Sequence, residues 1–293
     1  PGSALGYVPG LTQKGEPLIC GEFSAVGSAG GDVSWALRFL LTQLRRHAVI
    51  QGHIFGSFYD VPWQRDGLLR FDRTVKEYGY GEFVPNITVA DLQGDDFIGF
   101  DAPPVIETAP GEELALALFA SHYSGHPGPA RLRWRVIGTD DLGRPVASGA
   151  QSREILWQRG TVTYQTPLRV RIPEGASFVG AVQAELLDSE NRRIAANYVN
   201  LIADIGAAAD LQGAPRPAVP ANPSVEVLSP RIVALRIPPR AFAAVKSDPP
   251  QTEQKHYSFG NWQVEYHIAL PDFVRQAIPS QMVLMAELAA EGH

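Results

Sequence analysis

The fold is decided near the N-terminus by the segment Pro17-Leu18-Ile19-Cys20-Gly21-Glu22, a short apolar run that ends in a glycine and a carboxylate. A run of this length and composition is typical of a buried parallel strand. Gly30-Gly31 then interrupt the chain, and Asp32 is well placed to cap a helix. We therefore expect a strand followed by a helix, with Glu22 at the carboxyl end of the strand.

A helix is predicted directly after these glycines. Its apolar residues recur at steps of three and four and so form one continuous stripe; they are Val33, Ala36, Leu37, Leu40, Leu41 and Leu44. Basic residues at 45–47 occupy the last turn, where cations oppose the negative end of the helix dipole. A second strand is expected at about residues 49–59, so residues 17–60 predict one βαβ unit.

The rest of the chain has the pattern of β-structure. A loop rich in aromatic and charged residues comes first, with one short helix predicted at about residues 75–78. Beyond it, the alternation in Arg131-Leu132-Arg133-Trp134-Arg135-Val136 places arginines on one face and apolar side chains on the other. Further strands are expected at 114–119, 169–172, 178–187 and 194–202. Several strands over roughly 100 residues favour an immunoglobulin-like sandwich.

The composition excludes several functional classes. Hydrophobic residues make up 45% and charged residues 19% of the 293 residues, which is an ordinary globular balance. A net charge of -6 disfavours nucleic acid as a partner, since phosphate backbones are repelled. Cys20 is the only cysteine, so neither an internal disulfide nor a cysteine-based zinc site is possible. We expect no metal, no cofactor and no membrane span, and the compartment stays open, with the periplasm or the extracellular space slightly favoured.

One βαβ unit is not a complete fold, because its strands have open neighbours on both sides. Parallel (β/α)8 barrels need roughly 250 residues and place their reactive groups at the carboxyl ends of the strands. Glu22 is predicted at that position. A carboxylate there is what glycosidic bond cleavage uses as nucleophile or acid.

Two blocks of sequence resemble family 2 glycoside hydrolases. The first, Leu18-Ile19-Cys20-Gly21-Glu22-Phe23, is similar to the segment of barrel strand seven, where an apolar run ends in Glu and an aromatic residue. The second comprises Phe58-Tyr59-Asp60 and the stretch from Gly67 to Lys76, and it resembles the end of strand eight. The two blocks occur in the family's order, and the resemblance covers about residues 11–82.

This resemblance implies a β-galactosidase-like, retaining glycosidase with Glu22 as the nucleophile. Retention requires a second carboxyl group about 5 to 5.5 Å away, which in this family follows an asparagine on strand four. No Asn-Glu dipeptide occurs in this sequence, so the chain is expected to be inactive alone. The residues predicted to bind the glycoside or oligosaccharide substrate are Phe58, Tyr59, Asp60, Trp63 and Arg65. The alternative for Asp60, Trp63 and Arg65 is a structural turn with a packed tryptophan and a surface ion pair.

Three positions depart from the family pattern. The sequence Phe55-Gly56-Ser57-Phe58 stands where many members have a tryptophan at the end of strand eight. The glucuronidase branch reads the uronate carboxylate with an Asn-x-Lys motif, whereas the corresponding loop here is Trp63-Gln64-Arg65-Asp66. Val75 replaces the usual proline before Lys76. Because the loop lacks the Asn-x-Lys motif, glucuronide specificity is not expected.

The predicted fold class is multidomain, α/β plus all-β. Residues 1–85 are predicted as the C-terminal βαβ segment of a (β/α)8 TIM barrel, and residues 86–206 as the immunoglobulin-like β-sandwich. Residues 207–224 have the Pro/Ala-rich composition of a linker. Residues 225–293 are predicted as the start of a second β-rich module, jelly-roll and galactose-binding-like, that is truncated.

Other interpretations of the same sequence remain open. The chain is alternatively a non-catalytic carbohydrate-binding or cell-surface β-sandwich protein, or a degenerate family member that acts as a scaffold. His122 and His126 are spaced as metal ligands are on a helix, but the residues between them indicate a strand and a turn. Trp262 and Tyr266 fit either a sugar-stacking platform or core packing.

Overall fold

The structure is a computed structural model of two compact units, Pro1–Ala208 and Ala209–His293. None of the helices it describes is long and apolar enough to cross a membrane. The residues described are 14–24, 33–62, 64–126, 129–140, 142–204, 224–229, 232–237, 244–247, 264–267, 270, 272–276 and 282.

The first unit begins with a βαβ arrangement. Strand β1 (Leu18–Phe23) is followed by helix α1 (Ser34–Arg45) and by strand β2 (Ile50–Phe55), and the two strands pair in parallel. The predicted helix is confirmed to within one residue at each end of its apolar stripe. The proposed cap, Asp32, lies outside the described residues. Among the described residues no (β/α)8 barrel is present, and these two strands form a sheet of their own.

Most of the first unit is β-structure, as predicted, and it forms a sandwich. One sheet has the strand order β10-β6-β3, and the larger one has the order β4-β13-β12-β7-β8, with β9 also paired to β7. A further pair joins β5 and β11. The strands are β3 (Asp96–Phe100), β4 (Val105–Thr108), β5 (Glu113–Leu116), β6 (Leu118–His122), β7 (Arg131–Asp140), β8 (Pro145–Ala147), β9 (Gln151–Glu154), β10 (Thr161–Tyr164), β11 (Leu168–Arg171), β12 (Phe178–Leu187) and β13 (Arg193–Ala203).

The sandwich core follows from strand alternation. Leu132, Trp134 and Val136 of β7 are buried in the main apolar cluster between the sheets, while the arginines between them are exposed. The side-chain period of two in a strand produces this separation, and the predicted arrangement of β7 is confirmed. Facing residues of β12, β13 and β3 complete the core.

Two local predictions are wrong. Residues 114–119 are not one strand, because the chain changes sheets at Ala117: β5 pairs with β11, whereas β6 pairs with β3 and β10. No helix forms at residues 75–78. The helical turns come later, as α2 (Tyr80–Phe83) and α3 (Val89–Gln93), and α3 begins with a capping box between Thr88 and Asp91 that supplies its first hydrogen bonds.

Helix α1 packs on the outside of the sandwich. Leu37 and Leu41 are fully buried in a second apolar cluster, which also contains residues of β3, β6, β12 and β13. Arg38 is 5% exposed and donates to the carbonyl of Tyr198 and to Oδ1 of Asn200. Burial lowers the pKa of the Arg38 guanidinium from its usual value. The helix thus joins the parallel strands to the sandwich.

The second unit is described in short segments. Strand β14 (Ser224–Ser229) pairs antiparallel with β15 (Ile232–Arg236), and β16 (Ala244–Ser247) pairs antiparallel with β17 (Val264–His267). A short helix, α4 (Asp272–Gln276), follows. Trp262 lies outside the described residues, as do residues 283–293.

Candidate functional site

One face of the β1–β2 pair points toward helix α1. The Phe23 ring lies edge-on to His53 and Phe55, with ring centroids 5.3 and 5.2 Å away. Phe23 and Phe55 also pack against the apolar cluster that contains Leu37 and Leu41. This face of the strand pair is therefore occupied by protein.

The opposite face carries Glu22. Ile19 lies next to Gly52, since a Cβ added to Gly52 would be 3.9 Å from the Ile19 side chain. Glu22 lies next to Gly56, since a Cβ added to Gly56 would be 2.6 Å from Glu22 Oε1. Residues two apart in a strand share a face, so Gly52, Ile54 and Gly56 lie together. The pairing register shifts between Cys20 and Phe23, and this irregularity puts Glu22 on the same face as Ile19.

This second face is open. Ile19 is 57% exposed and Ile54 is 58% exposed, and the Glu22 side chain is exposed as well. Parallel sheets are normally covered on both faces. The sequence predicted Glu22 at the carboxyl end of this strand, where β1 has it, but it predicted a buried strand and not an open apolar face.

The loop after β2 is organised around Asp60. Its Oδ1 accepts a hydrogen bond from Lys76 Nζ at 2.7 Å and another from the Gly67 amide at 3.0 Å. Lys76 Nζ also donates to the carbonyl oxygen of Arg65 at 2.8 Å. Both side chains of the Asp60–Lys76 pair are 12% exposed. Asp60 and Lys76 therefore join the start, the middle and the end of this loop through hydrogen bonds within the protein.

The remaining predicted substrate-binding residues have different surroundings. Phe58 is 64% exposed, and Arg65 is exposed. Tyr59 is half-buried beneath the Arg73 guanidinium, whose central carbon lies 3.4 Å from the ring centroid. Trp63 lies outside the described residues. Phe58, Tyr59 and Arg65 share the loop at the carboxyl edge where Glu22 lies, and among the described residues no hydrogen bond or ion pair is found between them and Glu22.

The rest of the loop is held by local hydrogen bonds. Asp72 accepts from the hydroxyl and the amide of Thr74, and these bonds lower the pKa of the Asp72 carboxyl below its usual value. Arg73 has a φ of 71°, and the Gly56–Ser57 peptide bond is cis. A side chain at residue 67 would lie 2.3 Å from the Tyr59 carbonyl carbon, so only glycine fits there.

Asp66 has no role predicted from the sequence, and the structure places it inside this loop. The residue is 4% exposed. Its Oδ2 accepts a hydrogen bond from Gln64 Nε2 at 3.0 Å, whereas its Oδ1 is buried and has no hydrogen-bond partner among the described residues. Leaving a buried acceptor unpaired costs about 1–3 kcal/mol, and more for a charged group. The burial of Asp66 could not be predicted from the sequence, because residues in a loop are not buried at regular intervals.

A second polar cluster lies at the edge of the sandwich. His122 Nδ1 is 2.8 Å from Asp96 Oδ1, and Ser124 Oγ donates to Asp96 Oδ2 at 2.5 Å. The His122 ring stacks on Trp157 with a centroid distance of 4.1 Å. His126 is exposed. Over the residues that are described, no three His, Cys, Asp or Glu side chains come together as metal ligands do.

Comparisons with known proteins give distant likenesses only. No protein-family model and no curated protein match the chain. Glycoside hydrolases are among the structural neighbours. An exo-chitosanase from Amycolatopsis orientalis in complex with PNP-beta-D-glucosamine is 9% identical, with a TM-score of 0.37, over 58% of this chain and 18% of that one. A family 123 glycoside hydrolase from Clostridium perfringens is 10% identical, with a TM-score of 0.26, over 37% of this chain and 26% of that one.

A third neighbour is a protein of another kind. An alkylpurine DNA glycosylase from Pseudomonas fluorescens, bound to DNA with an abasic site analog, is 13% identical with a TM-score of 0.25. It is matched over 37% of this chain and 30% of that one. The chain thus spans less than a third of the length of each of these three proteins. Scores this low do not decide between the chemistries of the neighbours.

Proposed function

We propose that this chain is the C-terminal portion of a retaining β-glycosidase, β-galactosidase-like and of the family 2 type, with Glu22 as its nucleophile. In this proposal β1 and β2 are the last two strands of a (β/α)8 barrel, and the sandwich is an immunoglobulin-like module that follows it. The substrate is a glycoside or an oligosaccharide, bound by Phe58, Tyr59, Asp60, Trp63 and Arg65.

One observation carries the proposal: the face of β1–β2 opposite α1 is apolar, exposed and ends in Glu22. In a (β/α)8 barrel the helices cover the outside, and the other face of each strand points into the barrel. Ile19 and Ile54 are where barrel-filling side chains lie, and Glu22 is at the rim where catalytic groups lie. The same arrangement explains why two isoleucines of a parallel pair are left uncovered here.

The chemistry assigned to Glu22 is nucleophilic displacement. Its carboxylate attacks the anomeric carbon, the glycosidic bond breaks as the leaving oxygen takes a proton from a second carboxylic acid, and water then hydrolyses the glycosyl-enzyme ester. The second acid comes from a barrel strand other than β1 and β2. We therefore expect no turnover from residues 1–293 by themselves.

Glu22→Gln tests this assignment in the enzyme that carries these residues together with the other barrel strands. Turnover of p-nitrophenyl β-D-glycosides is expected to fall by about 10⁴-fold or more, as is usual when a covalent nucleophile is removed. Glu77→Gln, an exposed change in the neighbouring loop, serves as the matched control and is expected to keep full activity. An active Glu22→Gln enzyme with an unchanged unfolding curve would eliminate the nucleophile assignment.

The second candidate function is non-catalytic carbohydrate binding by the sandwich. It is favoured by a depression on the large sheet, whose lining residues are Arg133, Trp134, Arg135, Ala150, Gln183 and Glu185. Arg133 donates twice to Glu185, and Arg135 donates to Gln183. Oligosaccharide binding that Gln183→Ala abolishes and Glu22→Gln leaves intact would support this function over the first.

A further inference from the structure

The depression on the large sheet lies beside an interruption in the ladder next to β7. Strand β8 ends at Ala147 and β9 begins at Gln151, and both strands pair with β7. Ala150 lies in the segment between them and lines the depression. The cavity volume is about 160 Å³, which is smaller than the roughly 300–1,000 Å³ of pockets that enclose a whole ligand. The depression is therefore suited to one charged unit of a longer ligand.

Two arginines of this depression are anchored by side chains of β12. In the antiparallel register Arg133 lies opposite Glu185, and Arg135 lies opposite Gln183. Arg133 donates from Nε and Nη2 to Glu185 Oε2 at 2.9 and 2.6 Å. Arg135 donates from Nε to Gln183 Oε1 at 2.9 Å, and Gln183 in turn donates to Glu185 Oε1 at 3.3 Å. Because Gln183 and Glu185 are only 2% and 9% exposed, both guanidinium groups are held by buried acceptors.

The same two arginines are accessible from solvent. The Arg133 side chain is 48% exposed, whereas that of Glu185 is 12% exposed, and Arg135 is exposed as well. A guanidinium presents its donors as a planar fork, so an anchor at Nε leaves the edge formed by Nη1 and Nη2 for a second acceptor. Arg135 is anchored to Gln183 through Nε. Its Nη edge is therefore positioned to bind an external acceptor at a small cost in side-chain entropy.

The charges in the depression favour an anion. Arg135 bonds a neutral amide, so its positive charge is not balanced by that partner. Glu185 is shared between Arg133 and Arg193, whose Nη1 lies 3.8 Å from Glu185 Oε1. The lining residues carry two positive charges and one negative charge. Hydrogen bonds from a guanidinium to a carboxylate are roughly twice as strong as those between neutral groups, so a carboxylate gains more here than a hydroxyl does.

We propose that this depression binds the carboxylate of a uronic acid unit in an oligosaccharide, with Arg135 as the main contact and Arg133 beside it. The inference rests on the second candidate function, carbohydrate binding by the sandwich, and names the class of sugar that this site takes. The contact involves neither Glu22 nor the loop after β2, so the missing Asn-x-Lys motif of that loop has no bearing on it.

The test is isothermal titration of the 293-residue chain with the methyl glycosides of D-glucuronate, D-galacturonate, D-glucose and D-galactose. The solution has about pH 7, at which a carboxyl group is ionised, and about 0.15 M salt, at which a Debye length of about 8 Å screens distant charges. We expect each uronate to bind at least about tenfold more tightly than its neutral counterpart, a difference of about 1.4 kcal/mol. Arg135→Met is expected to reduce this preference to within about twofold, because it removes the fork.

Two further variants show whether the fork of Arg135 is responsible. Arg169→Met is the matched control, because Arg169 is an exposed arginine that does not line the depression, and it is expected to keep the tenfold preference. Arg135→Lys retains the charge without the planar fork and is expected to lose most of the preference. A full preference in Arg135→Met or in Arg135→Lys, each with an unchanged urea unfolding curve, would overturn the inference, as would its loss in Arg169→Met.

The remaining outcomes separate this inference from the function on which it rests. Equal binding of uronates and neutral glycosides that Gln183→Ala abolishes would support carbohydrate binding and overturn the acidic class. Sodium acetate bound as tightly as the uronates would overturn both, because the site would then hold a carboxylate without recognising a sugar. Binding of none of the four glycosides would also overturn both, whereas turnover of the Glu22→Gln enzyme decides the glycosidase proposal separately.

Discussion

Lys76 is the residue that fixes the loop after β2. Its ammonium group bonds both Asp60 and the Arg65 carbonyl, and its side chain and that of Asp60 are each only 12% exposed. Removing one partner of a buried ion pair leaves the other charge without compensation. Loss of either partner is therefore expected to destabilise the protein more than loss of a partner from a surface ion pair.

We expect Lys76→Met to lower the free energy of unfolding by about 3 kcal/mol, as measured by urea denaturation. Arg169→Met is the control, since the Arg169–Glu113 pair is exposed by 78% and 49% and exposed pairs contribute about 0–1 kcal/mol. Equal losses in the two variants would contradict the structural role of the Asp60–Lys76 pair.

Asp96 makes the first unit sensitive to acid. Burial acts to raise the pKa of its carboxyl, but hydrogen bonds from Ser124 and His122 outweigh burial and hold the pKa below its usual value. A carboxyl with a lowered pKa in the folded state stabilises the fold above the unfolded pKa of about 3.9. That stability is lost as the pH falls through the lower, folded pKa.

Asp96→Asn is accordingly expected to flatten the acid limb of stability against pH below about pH 4. The measurement is the free energy of unfolding between pH 2 and pH 7, with Glu77→Gln as a control at an exposed position. An acid limb that is unchanged in Asp96→Asn would show that other carboxyl groups set the acid sensitivity of the protein.

The sequence pattern predicts the position of a single residue only where that residue ends a periodic helix or strand. Glu22 follows an apolar run, and its place at the end of β1 was predictable for that reason. The Asp60–Lys76 pair and the burial of Asp66 were not, because they depend on the path of a loop whose contacts join residues up to sixteen apart. The sugar-binding roles of Phe58, Tyr59, Asp60, Trp63 and Arg65 stay predictions.

At the scale of elements, helix α1 is the part that the sequence predicted best. Its apolar stripe predicted a helix at the observed residues, since a period of 3.6 has no other explanation over this length. The sequence did not predict the surface that this stripe contacts. The structure shows that Leu37 and Leu41 pack on the sandwich, and Arg45 bonds Ser121 and two carbonyls beside β3.

Leu41→Ala should therefore loosen the junction between the strand pair and the sandwich. Leu41 is fully buried, and large-to-small changes of this kind cost about 2–5 kcal/mol. Leu156→Ala is a matched control, since Leu156 is 67% exposed, and a change below about 0.5 kcal/mol is expected for it. Chemical denaturation of both variants compares them, and similar losses would mean that α1 adds little to the fold.

The strand predictions show where local pattern stops being sufficient. Residues 178–187 were predicted with the bounds that the structure has, because one strand runs without interruption through the centre of its sheet. Residues 114–119 have the same apolar character, yet Ala117 divides them between β5 and β6. Partner strands decide such a change of sheet, and partners do not appear in a local window.

For the whole molecule, the mostly β composition was predictable and the overall assembly was not. The sequence signals for strands, turns and one helix are local, whereas the docking of α1 joins residues about 160 apart, as between Arg38 and Tyr198. The barrel, the immunoglobulin-like module and the linker boundaries remain proposals. The barrel depends on strands beyond β1 and β2, and the linker boundaries depend on residues outside the described segments.

Gly56 has a consequence for how Glu22 is aimed. A methyl group at residue 56 would stand 2.6 Å from Oε1, 2.9 Å from Cγ and 3.1 Å from Cδ of Glu22, so the glutamate would have to rotate into a different conformer. The orientation of the carboxylate is therefore set partly by an absent side chain on the adjacent strand. Two positions 34 residues apart in the sequence, one acidic and one without a side chain, therefore constrain each other.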